Sequence, residues 1–232
     1  MRLIAVILAL LTFSTSQALA HNWSRVFAEA RGSVVMLFHK SGSCSAFSIN
    51  EQQHYYLTAH HCLPNDPSAA IEASRQEMDR PSPTGMYLFL DAVPGVRTMG
   101  TAIVLRVLKA DATLDVALLE AEVGLPALPR GSEPRIGEDI AALGYALSEP
   151  GAWLIVGNVA YLKDAVGGQR RVVLRSTSEI GGMSGGPVID TRGRVISIVS
   201  QGVVYRGQIV PLNYGTSIRQ LEKFTKGFWR EN

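Results

Sequence analysis

Cysteine is scarce in this chain: there are two, Cys44 and Cys62, among 232 residues. That is too few for a disulfide scaffold, and the lack of any Cys-x-x-Cys pair argues against the common zinc and redox motifs. His60 and His61 adjoin Cys62, but neighbouring residues seldom point at one ion, so no metal and no other cofactor is expected. Charge is thin as well, with 18% Asp, Glu, Lys and Arg and a formal net of +2. So small a balance favours neither a nucleic-acid partner nor an acidic surface target. Long apolar runs are missing after the first twenty residues, and the one found there, Leu3 to Phe13, is shorter than the roughly 20 residues that span a bilayer. With Arg2 before it and the small-residue exit Ala18-Leu19-Ala20 after it, residues 1–20 have the form of a secretory signal peptide. The mature chain is expected to begin at His21, exported to the periplasm or secreted, with no membrane anchor. In such a compartment the two cysteines most economically form one disulfide, worth on the order of 3 kcal/mol in the chain-entropy model.

What is present is a succession of short strand-like segments in a globular composition that is 47% hydrophobic. Ser33 to Phe38, Ser45 to Asn50, Tyr55 to Ala59, Met86 to Leu90, Thr101 to Leu108 and Val116 to Glu120 are rich in β-branched, aromatic or aliphatic residues and bounded by Gly, Pro, Asn or Asp. Asn65 to Thr84 reads as a long surface loop, with one helical turn around Ile71 to Asp79. Residues 124–134, with three prolines and two glycines, are expected to link two halves. The second half continues with Asp139 to Tyr145, Trp153 to Leu162, Arg171 to Ser176, Pro187 to Asp190, Val195 to Gln201 and Gln208 to Asn213, with Gly167-Gly168 and Thr191-Arg192-Gly193 as turns. A helical spacing of Ile218, Leu221, Phe224 and Phe228 predicts a closing amphipathic helix over Ser217 to Trp229. Ser24 to Arg31 is a short helical lead-in. No solenoid repeat is present, and the pattern is all-β.

One stretch does not fit a simple strand-and-turn reading. Gly181-Gly182-Met183-Ser184-Gly185-Gly186 sets a serine among glycines just before Pro187-Val188-Ile189-Asp190. Glycine reaches backbone angles closed to other residues, so N–H groups there can converge on one point, as an oxyanion hole requires. A serine nucleophile needs an imidazole within hydrogen-bond reach and a carboxylate to hold that imidazole. Tyr56-Leu57-Thr58-Ala59-His60-His61-Cys62 supplies histidine at a strand end. Asp115 opens directly into the apolar run Val116 to Leu119, where a buried carboxylate requires a donor such as the His61 ring. Asp111 is the alternative acid.

In the order His, Asp, Ser these motifs resemble the trypsin-like (chymotrypsin-fold) serine protease family. Thr58-Ala59-His60-His61-Cys62 is similar to its Thr-Ala-Ala-His-Cys, Leu114-Asp115-Val116-Ala117-Leu118-Leu119 to its Asp-Ile-Ala-Leu-Leu, and Gly182-Met183-Ser184-Gly185-Gly186-Pro187 to its Gly-Asp-Ser-Gly-Gly-Pro. The resemblance implies two antiparallel six-stranded β-barrels with a C-terminal helix. One peptidase domain, 21–232, would comprise a first barrel half at 21–123, a linker at 124–134, a second half at 135–216 and the helix at 217–232, leaving no space for a C-terminal PDZ domain like that of the HtrA-type proteases. It also implies His61, Asp115 and Ser184 as catalytic residues, an oxyanion hole at Gly182 and Ser184, and Cys44 bonded to Cys62 beside the histidine. Ser200, Gln201 and Gly202 would bind substrate backbone as an added strand, and Ser178 would lie near the base of the specificity pocket, beside Glu179. The expected partner is a polypeptide substrate, met by a monomer.

Departures from the family pattern refine the expectation. Met183 stands where activated digestive enzymes have Asp, and no Ile-Val-Gly-Gly start is present, which implies a bacterial-type, non-zymogen member. The competing reading is a catalytically silent member of the fold that serves as a binding or scaffold protein. An α/β-hydrolase esterase is disfavoured, although Gly182 to Gly186 fits Gly-x-Ser-x-Gly, because its chain order is Ser, Asp, His. The remaining histidines, His21, His39 and His54, read as surface or strand residues, the tryptophans Trp23, Trp153 and Trp229 as packing residues, and Arg170-Arg171 as a solvated turn.

Overall fold

The structure is a computed structural model, and it describes residues 23–39, 42–63, 87–89, 102–146, 151–165, 169–176, 181–206 and 208–230. Among them, β1 (Val34–His39), β2 (Gly42–Asn50), β3 (Tyr55–Thr58), β4 (Tyr87–Phe89), β5 (Ala102–Asp111) and β6 (Val116–Ala121) close into an antiparallel barrel in the order β1-β2-β3-β6-β5-β4. A second closed barrel, in the order β10-β11-β12-β9-β8-β7, is made by β7 (Asp139–Gly144), β8 (Trp153–Ala165), β9 (Gln169–Ser176), β10 (Pro187–Asp190), β11 (Val195–Tyr205) and β12 (Gln208–Ser217). A helix at 23–30, α1, precedes the first barrel, and α2 (Ile218–Phe224) follows the second. The signal-peptide segment, the loop 65–84 and the Gly167-Gly168 turn lie outside the described residues.

The strands β6, β7 and β10 look apolar throughout because they are buried on both sides. Successive side chains of a strand point to opposite faces. Along β6, Ala117, Leu119 and Ala121 enter the core of the first barrel, while Val116 and Leu118 enter a second cluster between the barrels. Along β7, Ile140 and Ala142 face the interior of the second barrel, and Ala141 and Leu143 face that same intervening cluster. Val188 and Ile189 of β10 divide in the same way. Among the described residues there are thus three cores, one in each barrel and one between them. The middle one also takes Val26 of α1 and Ile218, Leu221 and Phe224 of α2.

Several expected boundaries move. β5 continues to Asp111, β8 to Ala165, β11 to Tyr205 and β12 to Ser217, because paired strands extend past the point where their apolar pattern fades. Irregularities in pairing occur at Val107/Lys109, Val159/Tyr161 and Val199/Gln201. The closing helix is shorter than the predicted 217–229: α2 ends at Phe224, and the chain turns through 225–228 with Gly227 at φ 84°. That positive φ, two residues beyond the Thr225 cap, suits glycine. Beyond α2 the tail crosses to the first barrel, where Asn50 Nδ2 donates to the Phe228 carbonyl at 3.1 Å and the Arg230 N–H to the Ile49 carbonyl at 3.1 Å. Trp229 is buried among the core residues, but Trp153, expected to pack, is 47% exposed on β8. In the connection between the barrels, Val195 N–H donates to the Pro129 carbonyl and Gly131 N–H to the Val195 carbonyl, each at 2.8 Å.

Candidate active site

The histidine motif leaves β3 at Thr58 and turns at once into a 3-10 turn, His60–Cys62. Cys62 is fully buried and bonded to Cys44 of β2, with Cα atoms 6.1 Å apart. This disulfide fixes the residue next to His61, so the His61 side chain projects from a tethered turn. Cys44, His61 and Cys62 bring potential ligand atoms within 4.8 Å of one another, but both sulfurs are used in the disulfide and a metal would be left with one imidazole.

Asp115 lies at the end of the turn 112–115 between β5 and β6, with φ at 56°. Asp is among the few residues other than glycine that enter this left-handed region. The turn is held from several sides. Asp111 Oδ1 accepts the N–H of Thr113 at 2.8 Å and of Leu114 at 3.0 Å, so Asp111 shapes the turn and is not the acid that meets histidine. Thr216 of β12 donates its hydroxyl to the Leu114 carbonyl.

The Asp115 carboxylate faces His61. Its Oδ2 lies 2.9 Å and its Oδ1 3.1 Å from His61 Nδ1, and Oδ1 also accepts the His61 backbone N–H at 2.9 Å. Ser200, at the irregular point of β11, donates its hydroxyl to Oδ2. Burial pushes the Asp115 carboxyl upward, but the His61 ring, the Ser200 hydroxyl and the His61 N–H outweigh it and hold the group at about 2. The imidazole therefore has an ionised carboxylate on Nδ1 at neutral pH, while its side chain remains 46% exposed.

Ser184 sits at the apex of the glycine loop. Beside it Met183 is fully buried in the core of the second barrel, and this apolar anchor occupies the position where the resemblance would put an aspartate. Gly182 has φ 89° and Gly185 φ 81°. The loop is fastened to the second barrel by Gly185 N–H to Val199 carbonyl at 2.8 Å and Val199 N–H to Gly186 carbonyl at 2.9 Å. It is fastened to the first barrel through Ser45, whose N–H donates to the Ser184 carbonyl at 2.7 Å and whose hydroxyl donates to the Gly182 carbonyl at 3.1 Å. The Ser184 carbonyl also lies 3.7 Å from Cys62 Sγ, so the serine loop and the histidine turn are in contact. Among the described residues no hydrogen bond joins the Ser184 hydroxyl to the His61 ring, a contact that commonly tightens only when substrate binds.

On the other side of the site, Gln201 and Gly202 are exposed and pair with Tyr214 and Asn213 of β12. The pairing of β11 with β10 stops at Ile198. Ser178 and Glu179 lie outside the described residues. Sequence reasoning missed Ser45, Thr58 and Thr216, whose signal was a hydroxyl inside an apolar strand, and it gave Ser200 a role in substrate contact without its bond to Asp115. It placed Arg171 in a strand, as found, but misread its side chain as part of a solvated turn. This residue belongs to β9, is half-buried, and donates to the Ser200 hydroxyl oxygen at 3.3 Å and to the Thr113 carbonyl at 3.1 Å.

Two barrels with a serine loop and a His–Asp pair at their junction have the layout of the trypsin-like fold. Residues 44–198 match the trypsin-like peptidase domain family, and the chain belongs to it. The domain is thus of the serine-protease kind in fold. The uncharacterized protein y4bJ of Sinorhizobium fredii is 33% identical over 165 residues, or 69% of this chain, and the chain spans only 22% of that relative's length. The active form of the Rv3671c protease from M. tuberculosis superposes with a TM-score of 0.66 at 16% identity, over 89% of this chain and 85% of that one. Deg5 gives a TM-score of 0.64 at 18% identity, over 88% and 92% of the two chains. At such identities these structures establish the fold.

Proposed function

We propose that the chain is an exported serine endopeptidase that hydrolyses peptide bonds through Ser184, His61 and Asp115. The observation that carries this reading is the pairing of His61 Nδ1 with Asp115, at 2.9 and 3.1 Å. An acid on Nδ1 fixes the tautomer that leaves Nε2 able to accept a proton. Ser184 Oγ attacks the scissile carbonyl as His61 Nε2 takes its proton. Asp115 stabilises the resulting imidazolium, and the tetrahedral oxyanion is held by the N–H groups of Gly182 and Ser184. The imidazolium then gives its proton to the leaving amine, and the acyl-enzyme formed on Ser184 is hydrolysed by water through the same residues.

Ser45 fastens the backbone of this loop at both the Gly182 and Ser184 carbonyls, which supports a loop held in one conformation. Substrate would add as a strand along Ser200, Gln201 and Gly202, with Ser178 near the base of a neutral specificity pocket. The signal-like segment at 1–20 supports export to the periplasm or beyond. Fluorophosphonate labelling of the mature protein tests the proposal, with Ser184→Ala and His61→Ala as controls. Labelling lost in both variants supports an activated serine. A folded, disulfide-bonded wild type that refuses the probe favours the silent binding-protein alternative.

A further inference from the structure

We propose that Arg171 is a positioning residue for the candidate triad, acting on Asp115 from two directions at once. The proposal rests on the serine-protease reading and deepens it. A guanidinium has five N–H donors and no acceptor. At 3.3 Å from Arg171 Nη1, the Ser200 oxygen therefore accepts, and its single proton is left for Asp115 Oδ2, which it reaches. Arg171 thus decides which way the Ser200 O–H points. With its other arm, Nη2 donates at 3.1 Å to the carbonyl of Thr113, two residues before Asp115 in the turn that carries it.

The geometry of that turn explains why a second hold matters. Asp115 has φ at 56°, and such conformations persist only where the surroundings over-determine them. Arg171 pairs with Thr216 across β9 and β12, and Thr216 itself donates to the Leu114 carbonyl. Neighbouring residues of the second barrel therefore grip consecutive carbonyls, Thr113 and Leu114, of a turn in the first. The planar fork of arginine spans two acceptors in fixed geometry, and the single ammonium of a lysine does not.

The test compares Arg171→Gln and Arg171→Lys with Arg175→Gln, an exposed arginine on the same strand. Turnover of a peptide ester is measured alongside the low-field proton resonance of His61 Nδ1–H, the latter in a Ser184→Ala background that needs no activity. Arg171→Gln is expected to lower kcat about 10- to 100-fold with KM within about twofold, as for loss of an interaction that acts only on the transition state. It should also move the resonance upfield. Arg171→Lys falls between, and Arg175→Gln matches wild type. If Arg171→Gln keeps the wild-type kcat per folded molecule and an unmoved resonance, the arginine is only a brace between barrels and the proposal is overturned. If wild type itself has no activity, the protease reading fails, and the resonance alone decides the role of Arg171.

Discussion

Gly185 of the serine loop lies so close to Thr58 of β3 that a Cβ on the glycine would stand 2.2 Å from the threonine hydroxyl oxygen. The same Cβ would meet the Ser45 carbonyl at 2.3 Å and the Ala59 nitrogen at 2.7 Å. Thr58 in turn donates that hydroxyl to the Ser45 carbonyl at 2.8 Å. The loop of one barrel is thus pressed onto the strand that leads directly into the histidine turn of the other. Two of the three nearest atoms are backbone, so little in this contact can give way.

Gly185→Ala is therefore expected to disrupt the loop. Its new methyl meets backbone at φ 81°, and loss of at least about 3 kcal/mol is expected where strain and overpacking add. Gly193→Ala is the matched comparison, because its φ is 74° but its nearest neighbour is Val26 Cγ1 at 3.8 Å. Only the backbone strain remains there, roughly 1 kcal/mol. Urea unfolding of both variants and probe labelling of Ser184 check this. Equal losses in the two would mean that the contact with Thr58 gives way easily.

Acid should act through Asp115. Its carboxyl lies below the usual 3.8, at about 2 in the folded protein, so it stabilises the fold above about pH 4, and that contribution is lost as pH falls toward 2. The difference corresponds to on the order of 2 kcal/mol. Asp115→Asn removes the titration while keeping a residue that tolerates positive φ. Its unfolding free energy should fall less steeply than that of wild type between pH 4 and pH 2. Turnover at neutral pH should drop by about three to four powers of ten, because the amide no longer selects the needed imidazole tautomer. Parallel pH profiles for the two proteins would contradict the linkage.

The unbroken apolar run of β6 made that strand legible in the sequence, and the same run displayed Asp115 as an acid without an obvious reason to be there. Serine among glycines, and histidine beside cysteine, were legible because each is poorly explained by packing alone. What stayed hidden depends on partners distant in the chain. Arg171 is 58 residues from Thr113 and 29 from Ser200, and beside Arg170 it has the look of a solvated pair. Trp153 misled in the opposite direction: tryptophan is usually buried, but the outer face of β8 has no described element covering it. The end of α2 was obscured because Phe228 continues the helical spacing on a chain that has already turned.

Breaking the disulfide should loosen the histidine turn before it unfolds the chain. Cys44 and Cys62 are 18 residues apart, a loop for which the link is worth about 3 kcal/mol in the chain-entropy model. The double variant Cys44→Ser, Cys62→Ser should lose about that much in urea unfolding. It should also label more slowly with a fluorophosphonate under conditions where it is still folded, because His61 is next to the released residue. An unchanged midpoint, with unchanged labelling, would show that the Thr58–Ser45–Gly185 contact suffices without the covalent tie.

The tail after α2 behaves as a strap across the two barrels, and Trp229 is its buckle. Its ring lies 6.2 Å from that of Phe47 in β2, and its indole N–H donates at 3.2 Å to the Leu128 carbonyl in the connection between the barrels. Nearby, Phe228 meets Tyr55 edge-on at 5.4 Å, and Lys109 of β5 donates to the Phe224 carbonyl at 2.9 Å while sitting over the Phe224 ring. Trp229→Ala removes a buried ring and leaves a carbonyl without its donor, so a loss of about 3–5 kcal/mol is expected. Trp153→Ala, on an exposed face, should change stability by less than about 0.5 kcal/mol. Because the junction between barrels carries His61, Asp115 and Ser184, the first substitution should also reduce labelling of Ser184 in protein that remains folded. If Trp229→Ala is as harmless as Trp153→Ala, the barrels are held together by the intervening core alone and the tail is incidental to the site.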